Sequence, residues 1–252
     1  MKLEEYLNTL PQEIITGESV ELPERSLKDI FKFVGLGEND ILYHLGCGKG
    51  ESLTIALKNF GVKKAVGIDN NAEKISIAGK NLEENDIHAE LINNDIRNAS
   101  FDDATVILFW FTDEEIIEHM LSKFRNLKDG CKIITIWSPL PNCIPDKVEF
   151  PYLLHKVPFQ EAQSVKEQLM SIFGVKCIDF ITAWEFAERY TKAIGSPDAE
   201  NDRFLTIIQS VIIWINARNQ GVSCTKEIPE SVSTYMSILK RFFGLDVGHL
   251  LK

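Results

Sequence analysis

Between residues 40 and 137, short apolar runs of strand length alternate with stretches of helical periodicity, and this alternation restricts the fold more than any other feature. Strands are predicted over 40–45, 64–68, 90–92, 103–111 and 131–137. Helices are predicted over 52–60, 72–85 and 113–124, and an earlier one over 27–34 is stopped by Gly35-Leu36-Gly37. A chain that returns to a strand after each helix builds parallel neighbours, because parallel pairing needs crossover connections. An α/β fold with helices on both faces of the sheet follows. Later strands are expected over 150–159 and 176–182. Beyond 183 the pattern is helical, over 183–194, 202–219 and 231–243, with breaks at 195–197 and 221–229. The expected organisation is an N-terminal helical segment (1–25), a core (26–182) and a helical appendage (183–252). The appendage stripe of Ile207, Val211, Trp214 and Ile215 suits a face packed on the core, or alternatively a surface for self-association or a partner.

The run Ile41-Leu-Tyr-His-Leu-Gly-Cys-Gly-Lys-Gly50 places three glycines after a predicted strand and before a predicted helix. Glycine there permits positive φ and close approach of a ligand to the backbone, and the helix start offers unpaired N–H groups. Backbone amides of this loop are therefore expected to grip the ligand. The next strand ends at Gly67-Ile68-Asp69, where an acidic side chain can accept hydrogen bonds from a ribose diol. A phosphate-binding loop would need Lys followed by Ser or Thr, which Gly48-Lys49-Gly50 does not supply. The dinucleotide pattern would place its third glycine at Glu51 instead of Gly50, so a nicotinamide cofactor is the weaker alternative.

Leu45-Gly-Cys-Gly-Lys-Gly50 resembles the first motif of class I S-adenosylmethionine-dependent methyltransferases. The resemblance covers residues 22 to about 160 and implies a Rossmann-like methyltransferase sheet. On it, Asp69 is the ribose-binding acid, Asn94-Asp95-Ile96 is the segment that meets the adenine amino group, and Asp103-Ala-Thr-Val-Ile107 opens the fourth strand. The implied cofactor is S-adenosylmethionine, with S-adenosylhomocysteine as product. The implied contacts are His44, Leu45, Gly46, Cys47, Gly48, Gly50, Asp69, Asn70, Asp95, Ile96 and Trp110. Leu22-Pro23-Glu24, the Asp103-Ala-Thr-Val strand and Leu127-Lys-Asp-Gly130 together look like small archaeal protein-lysine methyltransferases. Two positions depart from the family. His44 stands where an acid is usual, and Lys49 where a second acid is frequent; both changes weaken the attraction for the cationic methionine end, which Glu51 would partly restore.

The end of the fourth strand, Phe109-Trp110-Phe111-Thr112-Asp113, falls where open α/β sheets bind ligands. Trp110, Phe111 and Trp137 are candidates for an acceptor channel, since aromatic walls guide an aliphatic stem and stabilise positive charge. Asp113 or Glu114 could take a proton, and Asp113 equally suits a helix N-cap. No N-P-P-[Y/F] element follows this strand, which counts against a base-amino acceptor. The expected activity is methyl transfer to a protein lysine amine. The alternatives are a small-molecule acceptor, and a noncatalytic binding module that acts through a partner.

A net charge of -10 argues against DNA or RNA and suits a basic protein partner. The apolar stretches at 104–111 and 204–215 are too short or too interrupted to cross a bilayer. Cys47, Cys131, Cys143, Cys177 and Cys224 form no C-x-x-C pair and read as buried thiols of a reducing cytoplasm. None of the five histidines has metal or triad spacing.

Overall fold

Leu27, Ile30, Phe31 and Val34 recur at helical spacing and are buried along one side of α1 (Glu24–Val34), which Gly35 ends in the left-handed conformation at φ 66°. The computed structural model describes residues 21–194 and 202–251. The expected N-terminal helical segment therefore lies largely outside the described residues. After α1 come β1 (Ile41–Leu45), α2 (Glu51–Phe60), β2 (Lys64–Asp69), α3 (Ala72–Glu84), β3 (Glu90–Asn93), β4 (Val106–Phe109), α4 (Glu114–Phe124) and β5 (Lys132–Ile136). Short strands β6 (Cys143–Ile144), β7 (Lys147–Glu149), β8 (Tyr152–Lys156) and β9 (Gln160–Glu161) complete this part.

Seven strands form one sheet in the order β3-β2-β1-β4-β5-β8-β7. β1 to β5 run parallel, and β8 is antiparallel to both β5 and β7. The chain builds outward from β1 through β2 to β3, then returns to place β4 on the other side of β1. The order thus reverses between β1 and β4, and a crevice opens at their carboxyl ends, where Leu45 pairs with Phe109. β4 is buried throughout, as a central parallel strand covered on both faces should be.

One sheet face carries Tyr43, Leu45, Val66, Ile68, Ile107, Phe109 and Ile133 against Met120 and Phe124 of α4. Aromatic edges set this core: Phe124 meets Phe109 at 5.2 Å and Phe101 at 5.9 Å. On α1 and α2, Phe31 meets Phe60 edge-on at 5.6 Å. At the amino ends of β1 and β4, Thr105 Oγ1 accepts the Ile41 N–H at 2.8 Å and donates to Asp40 at 2.8 Å.

The chain divides into two compact units, Glu21–Glu161 and one that takes in Ala162–Lys252. Residues 162–182, expected with the core, group with the C-terminal helices. That unit holds α5 (Val165–Phe173), α6 (Phe180–Ile194), α7 (Asp202–Asn219) and α8 (Glu230–Phe243). α7 packs along α6 with Val211, Trp214 and Ile215 buried. The strand expected over 176–182 is a single bridge, Ile178 to Ser223, followed directly by α6. Cys177 and Cys224 flank that bridge and are joined by a disulfide, which corrects the reading of all five cysteines as thiols. Cys47, Cys131 and Cys143 are buried thiols. No helix among the described residues is long and apolar enough to cross a membrane.

Candidate cofactor and acceptor site

Gly46, Gly48 and Gly50 all take positive φ, at 80°, 54° and 81°, so the loop between β1 and α2 needs glycine at each position. A Cβ at Gly50 would stand 3.0 Å from that of Ala78 in α3, and one at Gly46 would stand 3.0 Å from the Phe111 ring. The Gly46 and Cys47 N–H groups both donate to Ile68 O, Gly48 N–H donates to Asp69, and Gly50 N–H donates to Cys47 O. The first three of these amides tie the loop to the end of β2, the fourth closes a turn within the loop, and the glycines allow close approach.

Asp69 is 8% exposed, and its two carboxylate oxygens accept from Gly48 N and Asn71 N, each at 2.9 Å. A carboxylate oxygen accepts more than one hydrogen bond, so these bonds aim the group at the crevice and leave lone pairs for a ribose diol. That arrangement fits the expected cofactor. Asn70 is exposed at the tip after Asp69, and Asn71 caps α3 by accepting from Glu73 and Lys74 N–H. The Asp95 carboxylate is held by Arg97 through Nε at 3.0 Å and Nη2 at 2.6 Å, which keeps it below the usual carboxylate range; an adenine amino group would share it. Leu45 and Ile96 are buried in the core cluster, so their side chains serve packing. The Cys47 side chain lies against Gly67, where a Cβ would come within 2.7 Å of its sulfur, and burial pushes this thiol up to about 12.

Neither His44 nor Lys49 leaves an unpaired positive charge beside the loop. His44 points into the α2 side of the sheet, with Nδ1 2.6 Å from Ser52 Oγ, and burial lowers it to about 4, so the ring is neutral at physiological pH. Lys49 is paired with Glu21 at 3.3 Å. The same Glu21 carboxylate lies 3.5 Å from where a Cβ on Gly48 would be. Glu51 is raised, first by burial and then by the charges of Glu24 and Glu21.

At the carboxyl ends of β4 and β5 a recess is lined by Phe109, Trp110, Phe111, Ile117, Thr135 and Leu140, with Ser138 and Pro139 on its wall. Phe111 stacks on Phe109 at 5.0 Å and also contacts Gly46, so the recess adjoins the glycine loop. β4 begins later than the expected 103–111, at Val106, and ends earlier because Trp110 and Phe111 have already left the sheet as rim residues. The other two acceptor candidates lie elsewhere. Trp137 takes φ 70°, donates its N–H to Pro151 O at 2.7 Å and packs its ring on Phe150 at 5.4 Å. Asp113 caps α4, accepting from Ile116 N at 3.0 Å. Sequence reasoning missed Glu21, the partner of Lys49, and Thr135 of the recess lining. For Thr135 a signal existed, a hydroxyl inside the apolar run Ile133-Ile-Thr-Ile136. Among the described residues no group of three His, Cys, Asp or Glu could hold a metal ion.

The profile of a methyltransferase domain matches residues 43–130. A protein-lysine N-methyltransferase of Saccharolobus islandicus is 32% identical over 120 residues, covering 46% of this chain and 73% of that protein. An uncharacterized protein of Methanocaldococcus jannaschii is 31% identical over 90 residues, 36% of this chain and 35% of its own. Among solved structures, an RNA methyltransferase from Salinibacter ruber in complex with S-adenosyl-L-homocysteine superposes with a TM-score of 0.53 at 21% identity. The superposition covers 58% of this chain and 99% of that one, and shows the likeness of fold.

Proposed function

We propose that this chain, which belongs to the class I S-adenosylmethionine-dependent methyltransferases, transfers its methyl group to a lysine amine of a protein. The cofactor is S-adenosylmethionine, and when bound it supplies a methyl group activated on a sulfonium, so no covalent enzyme intermediate is needed. Asp69 orients the ribose, Asp95 meets the adenine end, and Gly46 to Gly50 let the ligand lie against the backbone. The protein's task is alignment of the incoming nucleophile and exclusion of water.

One observation carries the lysine reading: the recess beside the glycine loop is lined mainly by apolar and aromatic residues, with Thr135 and Ser138, and no charged side chain is among the described residues of its lining. A lysine amine has a reference pKa of about 10.4 and reacts only when neutral. Apolar surroundings favour that neutral form, and Trp110 and Phe111 offer ring faces to the charge that develops on nitrogen. The protein-lysine N-methyltransferase of Saccharolobus islandicus lends further support. The net charge of -10 fits a basic protein as the acceptor. The C-terminal helices would serve the docking of that partner or self-association.

The test is transfer of tritiated methyl from S-adenosylmethionine to an extract of the source cells, followed by hydrolysis and amino-acid analysis. Label recovered as N-methyl-lysine is the expected result. Label confined to small molecules would make the acceptor a metabolite. Tight cofactor binding with no transfer would make the protein a noncatalytic module.

A further inference from the structure

The segment between β3 and β4, residues 94–105, carries Asp95 and has no regular secondary structure, so its conformation rests on bonds made one at a time. Its start is tied to β2. Asn94 N–H donates to Asp69 O at 3.1 Å, and Asn93 Nδ2 donates to the same carbonyl at 3.0 Å. Asp95 then closes a turn, its carboxylate accepting from Arg97 N at 2.8 Å and its carbonyl from Asn98 N at 2.9 Å. The far side of that turn is held from α4. Lys123, in the last turn of the helix, donates from Nζ to Ala99 O at 2.6 Å, to Arg97 O at 3.0 Å and to Ile96 O at 3.4 Å. The same ammonium stands over the buried ring of Phe101 at 4.7 Å.

An ammonium has three donors, and Lys123 spends them on carbonyls of one loop. Ordering a long side chain and partly drying its charge are both unfavourable. Burial accordingly lowers the Lys123 pKa, against the charges of Asp102 and Asp95. Methionine would cover Phe101 without either cost. What the ammonium adds is a fixed turn, and the functional group on that turn is the Asp95 carboxylate. Asp95 thus lies between an anchor on the strand that carries the ribose acid and an anchor on α4. We propose that Lys123 is a positioning residue for the cofactor: by gathering the carbonyls that follow Asp95, it holds that carboxylate where it selects an adenine base. The inference rests on the reading in which Asp95 meets the adenine amino group.

The test is isothermal titration of the full-length protein with S-adenosylhomocysteine and with the analogue whose purine lacks the 6-amino group. Wild type is expected to prefer S-adenosylhomocysteine by at least about tenfold, the worth of one hydrogen bond to a charged group, and Asp95→Ala to lose that preference. Lys123→Met keeps an apolar stem over Phe101 and removes the ammonium. It should reduce the preference to about threefold or less by weakening S-adenosylhomocysteine, while the analogue stays within about twofold of wild type. Lys123→Gln is read in the same way. If Lys123→Met loses the preference and Asp95→Ala keeps it, placement of the loop by Lys123 stands and the role of Asp95 falls. The proposal is overturned if Lys123→Met keeps the preference, whether both ligands bind as before or both weaken equally; the adenine reading survives that result where Asp95→Ala loses the preference. A wild type that does not distinguish the two ligands overturns both. If neither Lys123 variant folds, the ammonium is a structural support only and the proposal is likewise overturned.

Discussion

Asp69 links the two halves of the crevice, since the carboxylate assigned to the ribose also holds Gly48 N and Asn71 N in place. Hydrogen bonds to a charged group contribute about 1.5–3 kcal/mol each. Asp69→Ala should therefore weaken S-adenosylmethionine binding by at least about tenfold in isothermal titration; an unchanged dissociation constant in a folded variant would remove the ribose role. The two buried imidazoles act on stability instead. Burial lowers His44 and His155 to about 4, with the charge of Asp69 opposing the shift at His44. The unfolded chain protonates these rings near their ordinary value of about 6.5, so it binds more protons than the native state between about 6.5 and about 4. Their stabilisation is complete above that window and is lost as pH falls through it, each contributing a slope of up to about 1.4 kcal/mol per pH unit. Urea midpoints should drop between pH 7 and pH 5.5, and the drop should shrink in the His44→Gln, His155→Gln double variant. A midpoint independent of pH in wild type would contradict the neutral buried rings.

At the scale of elements, α4 begins where the recess rim ends, and Asp113 separates the two roles. As an N-cap it satisfies the Ile116 N–H, and its loss should cost about 1 kcal/mol. Asp113→Ala should lower the melting temperature by a few degrees while methyl transfer per folded molecule stays within about twofold, and Asp113→Asn should restore stability. A large loss of turnover in Asp113→Asn at full stability would return the residue to proton transfer. What the sequence made legible has local causes. The β1–loop–α2 unit announced itself because period-two and period-3.6 patterns meet at glycines that positive φ requires. The extent of β4 was overread, because apolar composition does not distinguish a strand residue from Trp110 or Phe111 leaving the sheet edge. The strand expected over 176–182 failed for a similar reason, its apolar residues preparing a bridge and a helix. For Thr135 the run Ile133-Ile-Thr-Ile136 gave a hint, but its place in the recess depends on the β4–β5 register. Glu21 depends likewise on an ion pair formed 28 positions away in the chain, counted from residue 21 to residue 49.

At the scale of the molecule, the residues assigned to cofactor and acceptor all fall within Glu21–Glu161, whereas the disulfide belongs to the unit that takes in Ala162–Lys252. Cys177 and Cys224 are 47 positions apart, with α6 and α7 between them, so the bond closes a loop around the helical pair. Closing a loop of that length restricts the unfolded chain and contributes about 4 kcal/mol at most by chain entropy. The bridge between Ile178 and Ser223 and the bond from Ile178 N to Val222 O show that backbone pairing already holds the two segments together. Reduction should then loosen the helices without dissolving them. Calorimetry with and without a phosphine reductant should show the transition of the helical unit moving down by several degrees, and Cys224→Ser should reproduce the shift with no further response to reductant. S-adenosylmethionine affinity should be the same in both states, because none of the residues that position Asp69 or the glycine loop belongs to the cross-linked segment. Cofactor affinity that follows the redox state would instead mean that the helical unit participates in forming the crevice.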